Sequence, residues 1–177
     1  KGIQPQEARS IMAQSNYFGA MMVAMHQVDG LVSGTSDVSG SVLRPLFQII
    51  NVAPQQTTAS SCMILELDDT RFGEDGVLFM GDCGVIPHPS VEQLAEIAVS
   101  TAHLAHHLHG SRPRVAMLSY STKGSATQSD VARIQAATNL ARERALSLKL
   151  EADFDGELQV DAALIPEIAG RKLPDSR

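Results

Sequence analysis

Apolar residues recur three and four apart through 6–14, where Ala8, Ile11 and Met12 share one side, and this spacing predicts a helix. Asn16 is placed to cap a second helix reaching about residue 26, which Gly19 weakens unless something packs closely against it. The run 30–34 reads as a short buried strand, and the Ser-, Gly- and Asp-rich run 35–41 as the loop that follows. Helical spacing returns at 42–50, with Val42, Leu46, Ile49 and Ile50 on one side. The polar stretch 51–58 holds a proline and is the best domain boundary. It divides the chain into 1–54, part of a first α/β domain, and 55–177, a second α/β domain truncated at its C-terminal side.

Beyond the boundary the period changes. Runs 60–67 and 76–80 read as strands joined by an acidic turn over 68–75. Ser90, three residues before Gln93, has the capping-box pattern, and Leu94, Ile97, Ala98, Thr101, Ala102, Ala105 and Leu108 form the apolar stripe of a long helix that Gly110 stops. Run 114–118 is a short apolar strand, 119–128 a polar loop, and Ser129 the expected cap of a helix reaching about residue 147. A further strand is expected at 151–154, and a last helix from Gln159 or Asp161 to Gly170, with Gly156 serving a turn. Strands alternating with helices predict a three-layer α-β-α arrangement around a mainly parallel sheet.

Composition narrows the class. The chain has 177 residues, 44% apolar and 19% charged, without tryptophan, so aliphatic side chains and Met must build the core. Net charge is −6 and no Lys/Arg run could track a phosphate backbone, which argues against a nucleic-acid partner. An anionic substrate therefore needs a local pocket. No run reaches the ~18–20 apolar residues of a membrane-spanning helix. Two isolated cysteines, Cys62 and Cys83, read as reduced, buried thiols of a cytoplasmic protein. The chain starts at Lys1 without Met or a leader, which reads as an excised fragment. His103, His106 and His107 share a helix face, but no carboxylate or Cys is spaced to complete a metal site, and no metal is expected.

The most informative chemistry is at 119–126. Ser119, Tyr120, Ser121, Thr122 and Ser125 supply five hydroxyls, Lys123 a cation and Gly124 a permissive backbone, between a strand and a helix N-terminus. Ligands of open α/β sheets bind beyond the carboxyl ends of strands, and a helix N-terminus favours anions, so this is a candidate phosphate cradle. The Walker order of residues is missing, and the stretch reads equally as an ordinary polar loop. Ser33, Gly34, Thr35 and Ser36 follow the expected strand and are either a second set of ligands or a plain turn.

The run Met117-Leu118-Ser119-Tyr120-Ser121-Thr122-Lys123-Gly124-Ser125-Ala126 resembles a signature of phosphate acetyltransferases. So does Asp155-Gly156-Glu157-Leu158-Gln159-Val160-Asp161-Ala162-Ala163. Blocks starting at Asn16, Asp29, Leu43 and Glu92 agree in the same order, so the resemblance spans nearly the whole chain. It implies two α/β domains with a cleft between them, similar in fold to isocitrate and isopropylmalate dehydrogenases, in a homodimer. It implies acetyl transfer between acetyl phosphate and coenzyme A by direct attack of the thiolate, without a cofactor. Arg44 matches the arginine of the family's Arg-Pro-x-x-Gln block and becomes the best phosphate ligand, with a surface ion pair as the alternative. Lys123 is a second phosphate candidate or a solvated lysine, and Asp161 a ligand or a helix cap. The family's Asn-Asp-Leu-Ser-Arg-Gly motif, with the Ser, Arg and nearby Asp assigned to catalysis, is expected beyond Arg177. Phosphate butyryltransferases share the resemblance, as does the non-catalytic acetyl-CoA-binding regulatory domain of some malic enzymes.

Overall fold

In a computed structural model of the chain, residues 2–54 and 56–173 are described. They fall into two compact units, Lys1–Gln55 and Gln56–Arg177.

The first unit holds helices α1 (Pro5–Met12), α2 (Ser15–Ala24) and α3 (Ser39–Ile49). Pro5 opens α1, where a missing amide hydrogen costs nothing. Residues 30–34 are not a strand, because no described segment of this unit offers them a pairing edge. Instead Leu31 lies over Gly19: a Cβ at that glycine would stand 2.8 Å from Leu31 Cδ1. That close approach explains a glycine inside α2. Helix α3 starts three residues earlier than its apolar spacing suggests, and it carries the buried Pro45 in its interior. Only Ala20 and Pro45 are buried among the described residues of this unit, while Phe18, Val32, Val38 and Phe47 are exposed.

The second unit is mixed α/β. Strands β1 (Cys62–Glu66) and β2 (Val77–Gly81) form an antiparallel hairpin in which Cys62 faces Gly81 and Glu66 faces Val77. Helix α4 (Val91–His109) follows, then β3 (Arg114–Leu118), α5 (Ser129–Ser147) and β4 (Asp153–Leu158). β3 and β4 pair in parallel, with a register shift between Met117 and Leu118. The single, mainly parallel sheet expected from the alternation is therefore two separate pairs among the described residues. Alternation of elements does not encode which edges meet.

Helix α4 is closed at both ends. Ser90 Oγ accepts from Gln93 N at 3.3 Å, Gln93 Oε1 accepts from Ser90 N at 2.9 Å, and Gly110 ends the helix at φ 79°. Gln128, not Ser129, is the cap residue of α5, and its side chain makes no capping bond. The last expected helix is two, α6 (Val160–Leu164) and α7 (Pro166–Lys172), because a proline cannot continue α6. Cys83 is exposed rather than buried, and Cys62 is half-buried; both are free thiols. Burial pushes the Cys62 thiol up, with Cys83 adding to this and the Met80 backbone opposing it.

The core lies between α4, α5 and one face of β3–β4. Ala95, Ala98 and Ala102 of α4 meet Ala137, Ala141 and Ala145 of α5, with Met117 and Phe154 beneath. Small side chains let the two helices approach closely. Ala116 alternates to the opposite face of β3, where Leu158, Ala162 and Leu173 make a second, smaller cluster. Helices α4 and α5 thus cover one face of the parallel pair, and α6 and α7 the other. No described helix is long and apolar enough to cross a membrane.

Candidate functional site

The loop 119–126 leaves β3 at its carboxyl end. Ser119 N donates to Leu158 O at 2.8 Å, which ties the loop to the end of β4. Its hydroxyls then fold the loop onto itself. Ser119 Oγ accepts from Ser121 N at 3.2 Å, Ser125 Oγ from Thr122 N at 3.1 Å, and Ser121 Oγ from Ala126 N at 3.1 Å. Lys123 and Gly124 take φ values of 45° and 81°. This consecutive left-handed pair is eased by one glycine, and it turns the Gly124 amide inward.

The group that receives it is Glu157, only 1% exposed. Its Oε1 accepts from Gly124 N at 2.6 Å and from Ser121 Oγ at 3.2 Å. Since Ser121 has one hydroxyl hydrogen, Ser125 is the donor in the 3.2 Å contact between Ser121 Oγ and Ser125 Oγ. Burial pulls the Glu157 carboxyl upward. The amides of Gly124 and Glu157 itself and the side chains of Gln135 and Ser121 outweigh it and hold the group below its ordinary value. The inward amide and hydroxyl donors of the loop thus already hold an internal anion.

Lys123 points elsewhere. Its Nζ donates to Asp155 Oδ1 and, at 3.1 Å, to Gly156 O, while its side chain stays 38% exposed. Arg142 Nη2 reaches the same Asp155 oxygen at 3.2 Å and Arg142 Nε donates to Phe154 O at 2.8 Å. Thr122 is buried; its Oγ1 donates to Gln159 Oε1 at 3.2 Å and accepts from Gln159 N at 3.0 Å. Lys172 Nζ bonds Gln159 Oε1 at 2.9 Å and Asp161 Oδ2 at 3.0 Å. The Lys172 bond is the main cause that lowers the Asp161 carboxyl. Asp161 also accepts from Ala162 N at 2.7 Å, near the start of α6.

These contacts bring Ser119, Ser121, Thr122, Lys123, Gly124, Ser125 and Asp161 into one network at the ends of β3 and β4. Lys123 and Arg142 both pair there with Asp155, and Lys172 pairs with Asp161. Glu157, Asp155, Arg142, Gln159 and Lys172 were not singled out as functional from the sequence. The one signal for Glu157 was its place in the run from Asp155 to Ala163 that carries the family resemblance. Gly156 is not in a turn but within β4, where a Cβ would stand 2.6 Å from Met117 Cβ.

In the first unit, Ser33 Oγ donates to Asn16 Oδ1 at 2.6 Å, and Asn16 Nδ2 donates to Asp37 Oδ2 at 2.9 Å. Asn16 thus braces the run through Ser33, Gly34 and Thr35 against α2. Arg44 is exposed on α3 and has no ion pair or hydrogen bond among the described residues. No described group of three His, Cys, Asp or Glu side chains is placed to hold a metal.

The network sits at the strand ends of a mixed α/β unit, around an interior carboxylate and an accessible lysine. Two solved structures share the fold over nearly the whole chain. A phosphotransacetylase from Staphylococcus aureus superposes with a TM-score of 0.81 at 38% identity, over 99% of this chain and 51% of its own. One from Streptococcus pyogenes gives 0.81 at 37%, over 97% and 49%. A curated phosphate acetyltransferase from Thermoanaerobacterium thermosaccharolyticum is 46% identical over 176 residues, 99% of this chain and 52% of the relative. The family described as Phosphate acetyl/butaryl transferase matches residues 1–177, and the chain belongs to it. It spans about half the length of that relative and of both solved chains.

Proposed function

We propose that the polypeptide containing this chain transfers an acetyl group between acetyl phosphate and coenzyme A. The observation that carries the reading is the 46% identity to a phosphate acetyltransferase over 99% of the chain, which includes the 119–126 loop. The coenzyme A sulfur, as thiolate, attacks the acetyl carbonyl; a C–S bond forms, the C–O bond to phosphate breaks, and phosphate leaves with the electron pair. An unperturbed thiol near pKa ~8.5 is only a few per cent ionised at neutral pH, so a carboxylate takes its proton. That base, with a Ser and an Arg, belongs to the segment beyond Arg177. Both organic molecules are substrates, and the reading calls for no cofactor.

Within this chain, Lys123 meets the phosphoryl group as a point charge, exchanging with Asp155. Ser119, Ser121, Thr122, Gly124, Ser125 and Asp161 shape and brace its loop. In the first unit Arg44, unpaired and exposed, is a bidentate phosphate ligand, with Ser33, Gly34 and Thr35 beside its helix in sequence. The reading also takes 1–54 and 55–177 as parts of two α/β domains and the full sheet as three-layered and dehydrogenase-like. It takes the working form as a cytoplasmic homodimer without nucleic acid.

The test is thioester formation by the intact polypeptide from coenzyme A and acetyl phosphate, with butyryl phosphate as a parallel substrate. Acetyl-CoA is the expected product, with little or no turnover from residues 1–177 alone. Lys123→Ala should raise KM for acetyl phosphate about 10–100-fold, the worth of one charge-assisted hydrogen bond. No thioester from the intact polypeptide overturns the reading.

A further inference from the structure

Two cations meet on one carboxylate oxygen beside the 119–126 loop. Asp155 Oδ1 accepts from Lys123 Nζ, from Arg142 Nη2 at 3.2 Å and from Gly156 N at 3.0 Å. How each cation is tethered decides which of them can leave. Arg142 is fixed from three sides: besides Asp155, its Nε donates to Phe154 O at 2.8 Å and its Nη1 to Asn139 Oδ1 at 3.1 Å. A planar guanidinium is pre-organised and loses little freedom for each bond it makes. Lys123 is held more loosely. Apart from Asp155 its ammonium meets the Gly156 carbonyl at 3.1 Å, and it rides on a flexible four-carbon stem that stays 38% exposed.

We propose that Arg142 is a positioning residue for the phosphoryl group, keeping Asp155 balanced when Lys123 leaves that carboxylate for the phosphate. The inference rests on the reading of Lys123 as a phosphate ligand and adds the group that lets it go. Removing one partner of an ion pair is costly because the other charge is left uncompensated. Asp155 is half-buried, so water alone compensates it poorly. Here the departing Lys123 leaves behind a carboxylate still bonded to Arg142 and to the Gly156 amide. Arg142 acts through Asp155 and Lys123, because its Nε, Nη1 and Nη2 each already serve a protein acceptor.

The probe is inorganic phosphate, read by how well it shields Lys123 of the intact polypeptide from an amine-reactive ester, with the modified peptide quantified by mass. Phosphate should protect Lys123 in the wild type. Arg142→Gln keeps an amide donor and drops the charge; it should raise the half-protecting phosphate concentration about 3–5-fold, the worth of a part-exposed ion pair. Arg142→Lys, which keeps the charge, should stay near the wild type. Asp155→Asn should lower that concentration, and Arg142→Gln added to it should change it no further. A merely structural Arg142 would weaken protection as much in the Asp155→Asn background as in the wild type, and that result overturns the proposal. So does an Arg142→Gln variant protected like its parent, or an Arg142→Lys variant as weak as Arg142→Gln. If Arg142→Gln does not fold, Asp155→Asn decides, and an unchanged half-protecting concentration there overturns the proposal. A wild type that phosphate does not protect removes both this inference and the role of Lys123, whereas acetyl transfer stands or falls separately on thioester formation.

Discussion

Replacing Glu157 tests whether an interior carboxylate holds the 119–126 loop. Its Oε1 accepts from Gly124 N at 2.6 Å and Ser121 Oγ at 3.2 Å while the residue is 1% exposed. Glu157→Ala leaves both donors without that acceptor, at ~1–3 kcal/mol each, so a total loss of about 2–6 kcal/mol is expected. In a chain of this size that is a fall in melting temperature of roughly 4–24 °C. Glu157→Gln keeps the shape and an acceptor oxygen but removes the charge, so it should cost about 1–2 kcal/mol, since charge-assisted bonds are about twice as strong as neutral ones. The pH dependence follows from linkage. The carboxyl is held below its ordinary value of 4.5 in the folded chain. Its contribution is therefore fully present above that value and fades as pH falls through the lower folded value. Urea midpoints of wild type and Glu157→Gln, measured from pH 7 downward, should differ at neutrality and converge in acid. An alanine variant with the wild-type midpoint at pH 7, or a gap from Gln that widens in acid, refutes the assignment.

Two further outcomes come from the packing. Gly156→Ala places a Cβ 2.6 Å from Met117 Cβ and 2.9 Å from Thr138 Oγ1, so it should destabilise by about 1–3 kcal/mol in chemical denaturation, as overpacking does. Ser90→Ala removes the side-chain half of the α4 capping box and should cost about 1 kcal/mol, read as a shifted urea midpoint with an unchanged slope.

What the sequence made legible is what neighbouring residues decide. Ser90, Gln93 and Gly110 mark the limits of α4 by short-range chemistry, and the acidic turn before Val77 marks the hairpin. The 119–126 loop stood out because its hydroxyls and its glycine cluster. Pairing between distant segments was not legible. Residues 30–34 have strand-like composition, yet a strand needs an edge to pair with, and none is offered by the described residues of their unit. Glu157 grips Gly124 across 33 positions of sequence, so its burial is visible only once β4 lies beside β3. Gly156 reads as a turn residue by type and serves close strand-to-helix packing in fact.

Helix α4 touches β2, β3 and α5, whereas the hairpin's principal neighbour outside itself is α4. The hairpin is therefore fastened to its unit by one seam. Loosening that seam should release β1 and β2 together while β3, α5 and β4 stay closed. Native-state amide exchange would then show two cooperative openings of different free energy, the shallower reporting how firmly a single helix grips a two-stranded flap.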